Sequence, residues 1–195
     1  MKEAYQMLRR VVEQRRSTKP VQMTGGIIPD EHIWQLLGLA DWAPNHGNTE
    51  PWRFKVYAGN AVHRFCRQHA ELYKERTAPE SYDANKYSKI VTTGEKSSHL
   101  VVVWMQRGTL AKIPVDEELA ATAAAIEHIL LGATAMGYAS FWGSGGMTHH
   151  PALKEMLGLR IQDVVMAMLY LGTGPVSKPG TRLTPLVQKV QWFDR

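Results

Sequence analysis

Cysteine is nearly absent from this chain of 195 residues, in which Cys66 stands alone. A single cysteine cannot close an intramolecular disulfide, and no Cys-x-x-Cys pair or zinc-type Cys/His spacing accompanies it. These absences exclude a disulfide-stapled secreted domain. Because Cys66 lies between Phe65 and Arg67 inside a helical pattern, we predict that it is a packing residue, in a protein of the reducing cytoplasm.

Long hydrophobic runs are missing as well. The longest stretch without Asp, Glu, Lys or Arg extends from His128 to Leu153, and glycines and a His pair interrupt it. A membrane helix needs about 20 consecutive apolar residues, so this stretch predicts core elements instead. The first residues also lack the apolar centre of a signal peptide. With 44% hydrophobic and 21% charged residues, the composition is typical of a globular protein, and we expect one domain over residues 1–195.

The formal charge of +5 raises the question of nucleic-acid binding. The basic residues are spread along the chain apart from one cluster in residues 9–19, and no helix-turn-helix, zinc-finger or RNA-recognition pattern accompanies them. A few converging Arg and Lys side chains serve a phosphorylated small ligand equally well. We therefore expect a small-molecule ligand and no nucleic-acid or membrane partner.

Hydrophobic periodicity predicts alternating helices and strands, and hence an α+β layered fold. Helices are expected over residues 3–16, 29–42, 60–76 and 116–136 and after Pro151, and strands over residues 52–57, 99–106, 138–142 and 164–171. The strands at 99–106 and 164–171 are apolar on both faces, which favours central positions under helices. Residues 77–97 are polar and fit no element, which favours a lid or a binding excursion.

The most polar connection is the segment Ala43-Pro-Asn-His-Gly-Asn-Thr-Glu-Pro-Trp52. Two prolines bracket it, so the preceding helix must stop and the chain must enter the next strand extended. Between them, Asn45, His46 and Asn48 can donate hydrogen bonds to a ligand. The alternative is plain turn chemistry, because Asn, Gly and Pro are the common turn residues.

A second polar cluster, Arg15-Arg16-Ser17-Thr18-Lys19, follows the first helix. Arg presents a planar fork of donors that matches phosphate, and Ser and Thr add short hydroxyl donors. The cluster is therefore either an anion-binding site or a solvated helix end, where cations are favoured in any case.

A third cluster is the glycine-rich loop from Gly143 to Gly146, which follows a short strand. It is neither a nucleophile elbow, which needs Gly at the position of Trp142, nor a dinucleotide fingerprint, which needs Gly at the position of Thr148. Its backbone N–H groups can approach a flat ligand closely, although a flexible connection would have the same composition. His149 and His150 follow without the carboxylate spacing that would complete a metal site, so no metal is expected.

With these pieces in this order, the chain resembles the FMN-dependent nitroreductase family over nearly its whole length, and its compact nitroreductase-like branch most closely. The pieces are the Arg15–Lys19 cluster, the Ala43–Trp52 loop with its AP-x-H-x-N-x-x-PW form, the Gly143–Gly146 loop and the basic C-terminal segment. The resemblance implies an α+β fold with a central, mainly antiparallel sheet flanked by helices, in an intertwined homodimer. It also implies two FMN sites at the subunit interface, each built from both chains.

The resemblance further implies a phosphate site for FMN in the first cluster. Arg15 and Ser17 would hold the phosphate, with Arg16 alongside and Arg182 closing from the tail. Lys19 would lie near flavin N1 and O2, where a cation stabilises the reduced ring.

The flavin ring would be held by the other two clusters. His46 and Asn48 would reach the cofactor from the polar loop. The ring edge near N5 would face the backbone of four residues: Trp142, Gly143, Ser144 and Gly145.

The activity implied by this resemblance is that of an oxidoreductase. Electrons would pass from NADH or NADPH through FMN to a nitroaromatic, a quinone or a similar conjugated acceptor, in ping-pong order. No side chain is expected to act as a nucleophile or an acid/base pair, since the cofactor carries the chemistry. The alternative is a flavin-binding sensor or carrier with little turnover, and a basic binding module without flavin is a third hypothesis.

Three positions depart from the family pattern. Glu50 stands where the family commonly has Gln before Pro-Trp, and Trp42 and Gly143 stand where close relatives often carry Arg. These departures bear on flavin affinity and acceptor choice more than on the fold.

Overall fold

The computed structural model describes residues 2–175 and 179–194. The helices are α1 (Lys2–Gln14), α2 (Asp30–Ala40), α3 (Asn60–Arg76), α4 (Ala84–Thr92), α5 (Val115–Ala135) and α6 (Pro151–Leu157). The strands are β1 (Trp52–Ala58), β2 (His99–Met105), β3 (Ala139–Gly143) and β4 (Val164–Gly172).

The four strands form one sheet in the order β1-β2-β4-β3, and every neighbouring pair is antiparallel. This confirms the α+β fold with a central antiparallel sheet. Trp52 pairs with Met105, and Gly143 pairs with Met168. The loop before β1 and the loop after β3 therefore leave the sheet at the same end but on opposite edges.

Helices cover both faces of the sheet. Because side chains alternate along a strand, Leu100, Val102 and Trp104 of β2 face a layer that contains α3, α4 and α6. Val101 and Val103 face the opposite layer, which contains α2 and α5. All of β2 is buried, as predicted from its apolar pattern.

Two predictions of secondary structure were wrong in detail. α1 ends at Gln14 instead of residue 16, and the Arg15 N–H still bonds to the Val11 carbonyl, with 3.0 Å between N and O. Arg15 and Arg16 thus lie outside the helix. Residues 77–97 contain the whole of α4, whose N-cap is Asp83.

Cys66 is fully buried, which confirms that it is a packing residue. Burial raises the pKa of its thiol. Among the helices of the described ranges, none combines the length and apolar character needed to cross a membrane.

Two described segments expose apolar side chains on a large scale. No residue of α1 (2–14, all described) is buried, and every described residue from 179 to 194 is exposed. Trp192 and Phe193 are 83% and 88% exposed. The described part of this chain therefore does not cover these two side chains.

Candidate functional site

The Arg15–Lys19 cluster lies against the outer edge of β3. Ser17 forms a parallel bridge with Ser140, and the Thr18 N–H donates to the Ser140 carbonyl at 2.9 Å. Pro20 then starts a 3-10 turn in a buried position. Once the helix has ended, the cluster is therefore held extended beside the sheet, and the Ser17 and Lys19 side chains are exposed.

A groove lies between α4 and β3. It consists of two adjoining cavities of about 490 and 500 Å³ that share Lys89, Thr93 and Phe141. The first is lined also by His69, Lys86, Ile90, Trp142–Gly146, Met168 and Tyr170, and the second by Lys19, Pro20, Val21, Thr92, Glu95 and Lys96. Lys19 and residues 142–145, all predicted site residues, therefore line this α4–β3 groove.

The glycine-rich loop is held in place from behind. His69 is 3% exposed, and its Nε2 accepts the Met147 N–H at 2.8 Å. Thr148 donates its hydroxyl to the Gly145 carbonyl at 2.6 Å. These contacts favour a built ligand wall over the flexible connection that the composition also allowed.

His69 is neutral at physiological pH, because burial lowers its pKa from 6.5 to about 4. A neutral imidazole that accepts at Nε2 carries its proton on Nδ1. This Nδ1 is buried and has no hydrogen-bond partner in the described structure. Such an orphaned donor is uncommon in protein interiors.

Gly143 fits a position with no room for a side chain. An added Cβ would come within 3.3 Å of both the Met168 carbonyl oxygen and Phe141 Cε1, and within 3.5 Å of Tyr170 Cε2. Two aromatic rings thus occupy the space beside Gly143, which accounts for the absence of Arg here. The neighbouring Trp142 donates its indole N–H to the Met166 carbonyl at 3.1 Å, so its ring is fixed.

The two arginines of the first cluster face different surroundings. Arg15 is half-buried, with its Nε 3.4 Å from Glu127 Oε1 of α5. Arg16 lines a separate cavity of about 430 Å³ beside Tyr138 and Ala139. The returning tail packs directly on Arg16, since a Cβ on Gly180 would lie 2.3 Å from its guanidinium.

Arg182 does not join this cluster through any described contact. Its guanidinium donates to the Thr181 carbonyl at 3.1 Å, a bond to the adjacent residue. The phosphate-closing role expected for Arg182 therefore stays a prediction.

The polar loop on the β1 edge is held in an unusual conformation. His46 Nδ1 lies 2.5 Å from Glu117 Oε2 at the start of α5. Gly47, Asn48 and Glu50 all have positive φ, at 65°, 51° and 41°, and only glycine adopts such values without cost. Strain of this kind persists where surrounding contacts impose it, and it is concentrated at functional sites.

One chain does not bring all the predicted residues together. The cluster and the glycine-rich loop lie on the β3 edge, whereas His46 and Asn48 lie beyond the β1 edge. Three strand spacings separate these edges, about 14 Å. Each protomer therefore carries two separate parts of the predicted site.

Comparison with known proteins decides the family. The model of the Nitroreductase family matches residues 12–173. The chain belongs to the nitroreductase family.

Similar members come from several bacteria. The Escherichia coli (strain K12) protein YdjA, provisionally named an NAD(P)H nitroreductase, is 26% identical over 153 residues, covering 78% of this chain and 81% of the relative. A solved nitroreductase-like family protein from Bacillus cereus is 26% identical, with a TM-score of 0.83 over 96% of both chains. A provisionally assigned nitroreductase from Desulfovibrio desulfuricans, solved in complex with FMN, shares the fold at 22% identity, with a TM-score of 0.71 over 96% of this chain and 97% of the other.

This nitroreductase-family chain also places residues in the groove that the sequence reasoning missed. Lys86, Lys89 and Thr93 come from α4, and His69 comes from α3. The spacing of 86, 89, 90 and 93 marks one helical face, and this signal was available in the sequence. It was overlooked because no apolar stripe marked the helix.

Other polar groups of the nitroreductase-family chain have structural roles. Ser98 Oγ, His99 and Asp30 form a chain of hydrogen bonds, at 2.9 Å and 3.0 Å. Ser98 also accepts the Ile28 N–H at 2.7 Å, and both Ser98 and His99 are buried. This arrangement ties the start of α2 to β2 and offers no accessible nucleophile. His150 accepts the Ala152 N–H and caps α6.

No cluster of metal-ligating side chains occurs among the residues that the structure describes.

Proposed function

We propose that this protein is an FMN-dependent oxidoreductase that uses NADH or NADPH to reduce a conjugated acceptor, such as a nitroaromatic or a quinone. One observation carries the proposal. The α4–β3 groove has Lys19 at one end and the glycine-rich loop at the other, and the Arg15–Lys19 cluster runs beside it. These are the features that an anionic, flat, ring-bearing cofactor needs.

The groups that are present fit FMN. Arg15, Ser17 and Lys19 supply a fork, a hydroxyl and an ammonium, which are charge-assisted or short donors suited to phosphate and to an electron-rich ring. Gly143 keeps the groove wall flat, because an added Cβ there would meet the Met168 carbonyl oxygen and the Phe141 ring. When bound, FMN would supply the redox chemistry that connects oxidation of the nicotinamide donor to reduction of the acceptor, and we expect ping-pong order.

The side chains of this chain would bind and orient, and none is assigned as a proton donor or nucleophile. His69 stays neutral above about pH 4 and holds the loop that forms the groove wall. The Arg16 cavity and the returning tail close the far side of the cluster. Cys66 is buried and is assigned no role in the reaction, and the proposed compartment is the cytoplasm.

The same proposal includes a homodimer with FMN sites built from both chains, in a single FMN-binding domain over residues 1–195. Three observations support it: the exposed apolar residues of α1, the exposed tail and the separation of His46 and Asn48 from the β3 edge. Tyr5, Met7 and Leu8 are 58–64% exposed. Contiguous apolar surface of this kind commonly marks a protein interface. A partner's polar loop and tail would then complete each groove.

The first test is the visible absorption spectrum of the purified protein, before and after addition of NADH or NADPH. Flavin bands that bleach, and that return when an acceptor is added, are expected. Flavin that stays oxidised would favour the sensor or carrier function. A colourless protein that cannot be loaded with FMN would contradict the proposal.

Replacement of Arg15 by Ala tests the phosphate site. We expect bound FMN to be lost on purification, because removing a charge-assisted donor costs about tenfold or more in affinity. Arg76→Ala, at the exposed end of α3, is the matched control and should retain flavin. Equal flavin content in both variants would contradict the assignment of Arg15.

A further inference from the structure

The α4 helix presents one face to the groove. Lys86, Lys89, Ile90 and Thr93 all line the cavity next to the glycine-rich loop. This is the i, i+3, i+4, i+7 spacing of a single helical face. The face combines two cations with an apolar centre, which is an arrangement that the FMN site alone does not require.

The helix is fixed against its neighbours, so this face is a built wall. The Tyr73 hydroxyl of α3 accepts a hydrogen bond from the N–H of Asp83, the N-cap of α4, at 3.0 Å. Tyr87 donates its hydroxyl to Glu71 of α3. Ile90 is buried in the core. α4 is therefore held at both its start and its middle.

The two lysines are not neutralised by nearby carboxylates. Lys86 Nζ lies over the Tyr73 ring, 4.6 Å from its centroid, and no ion pair of Lys86 or Lys89 occurs among the described residues. Of the described residues, those lining this cavity include no Asp or Glu. Glu95 lines only the cavity at the Lys19 end. The loop end of the groove is thus a site of net positive charge.

The opposite wall suits a conjugated ring. Phe141, Met168 and Tyr170 provide apolar surface there, and an apolar wall with a few convergent polar groups is typical of small-molecule sites. A ring seated on this wall would place a substituent within reach of the α4 lysines. An ammonium group binds carboxylate or sulfonate through charge-assisted hydrogen bonds.

We propose that Lys86 and Lys89 form an anion subsite, and that the acceptor reduced in this groove is a conjugated ring bearing a carboxylate or sulfonate group. The inference rests on the proposed function and narrows its substrate class. The FMN phosphate does not account for Lys86, which lines only the cavity at the loop end, whereas the Arg15–Lys19 cluster is proposed to hold the phosphate from the other end; Lys89 lines both cavities and lies between the two.

The kinetic test uses the FMN-loaded full chain with 4-nitrobenzoate and its neutral counterpart 4-nitrobenzamide. We expect Lys89→Gln to lower kcat/KM for 4-nitrobenzoate about tenfold, the effect of one charge-assisted hydrogen bond. The value for 4-nitrobenzamide should change less than about twofold. Lys86→Gln should act in the same direction, and Lys89→Arg should retain the preference for the anion.

A binding test does not depend on turnover. Benzoate is not reduced, and its dissociation constant can be measured by calorimetry on the oxidised holoenzyme. Lys89→Gln should raise this constant about tenfold, whereas Lys74→Gln, an exposed lysine of α3 away from the groove, should leave it unchanged. An equal constant in wild type and Lys89→Gln would overturn the subsite.

The reduced dinucleotide also carries anionic groups, so the donor half-reaction needs its own measurement. If Lys89→Gln slows flavin bleaching by NADPH but leaves the ratio of 4-nitrobenzoate to 4-nitrobenzamide turnover intact, the lysines serve the donor and the proposal is overturned. If wild-type flavin never bleaches, the proposed oxidoreductase function fails. Benzoate binding still decides the subsite in that case.

Discussion

The two edges of the sheet carry different parts of the candidate site. On the β3 edge, the Arg15–Lys19 cluster, the glycine-rich loop and α4 surround a groove that this chain forms by itself. On the β1 edge, the polar loop is braced by Glu117 and strained at Asn48 and Glu50, and His46 and Asn48 do not line the α4–β3 groove. The two edges therefore carry separate parts of the predicted site.

The proposed homodimer would also account for the exposed apolar residues along α1 and for the exposure of Trp192 and Phe193 in the tail. Joining the β3 edge of one protomer to the β1 edge of another would cover both. Mutations can test whether the two edges meet across chains, and which contacts stabilise each edge.

The largest effect is expected from mixing two inactive variants, Arg15→Ala and His46→Ala. If each site takes its cluster from one chain and its polar loop from the other, a mixed dimer has one intact site. Random exchange of subunits should then restore flavin in about a quarter of the sites. Flavin content and bleaching by NADPH, before and after mixing, are the measurements.

The double variant Arg15→Ala/His46→Ala mixed with wild type is the control, because its mixed dimers carry one altered residue in every site. If the first mixture shows no recovery of flavin, Arg15 and His46 of one chain serve the same site. The proposal that the two edges combine across chains would then be contradicted.

The next effect concerns the glycine-rich loop. Gly146 has φ of +65°, and an added Cβ would lie 2.6 Å from the buried ring of His69. Gly146→Ala should lower the free energy of unfolding by about 4 kcal/mol, from left-handed strain and overpacking. Gly145→Ala, where nothing lies within 4 Å of the added Cβ, should change it by less than about 0.5 kcal/mol. Urea unfolding measures both, and similar values would contradict the packing of this loop on His69.

Lowering the pH should reduce the free energy of unfolding through His69, which holds the glycine-rich loop at the β3 edge. Its pKa falls from 6.5 in the unfolded chain to about 4 in the fold, so below pH 6.5 the unfolded chain binds a proton that the folded chain does not. Stability therefore falls as pH falls from 6.5 to about 4, by about 3 kcal/mol in total. The His69→Gln variant retains a hydrogen-bond acceptor at this position but has no group that titrates between pH 6.5 and 4. Its free energy of unfolding should therefore vary less with pH in this range. Equal pH dependence of unfolding in both proteins would contradict the assignment.

The smallest effect is expected on the β1 edge, from Asn48→Gly. Glycine adopts the observed positive φ freely, but it is also freer in the unfolded chain, so stability should change by less than about 0.5 kcal/mol. Flavin affinity should fall about fivefold, because a donor to the cofactor is lost. A calorimetric titration of FMN into the apoprotein measures this. Unchanged affinity would remove Asn48 from the site.

The parts of the fold set by periodicity were predictable from the sequence. β2 and β4 were expected to be central because Leu100–Met105 and Val165–Leu171 are apolar on both faces, and they are. β1 lies at an edge of the sheet, which agrees with the alternation of cations and apolar residues from Trp52 to Tyr57. Local patterns suffice where burial follows directly from side-chain type.

Most of the remaining site depends on tertiary contacts that no local pattern contains, and the spacing of residues 86, 89, 90 and 93 on one helical face is the exception. α4 buries only Ile90, so its apolar content was too low to reveal a helix, and its lysines were left out of the predicted site. The bond from the Met147 N–H to His69 joins residues 78 positions apart, and the tight fit at Gly143 arises where β3 pairs with Met168 and Tyr170 of β4. In the proposed homodimer, the positions of Arg182 and of the polar loop relative to the β3 edge would depend on a second chain, which a single sequence cannot display.

The exposed tail has a consequence for how the protein behaves on dilution. If Trp192 and Phe193 find their cover only on another chain, both association and cofactor retention obey mass action. The flavin occupancy of a concentrated stock would then exceed that of the same protein at assay concentration. Specific activity should therefore decline with time after dilution and recover when the protein is concentrated again with FMN.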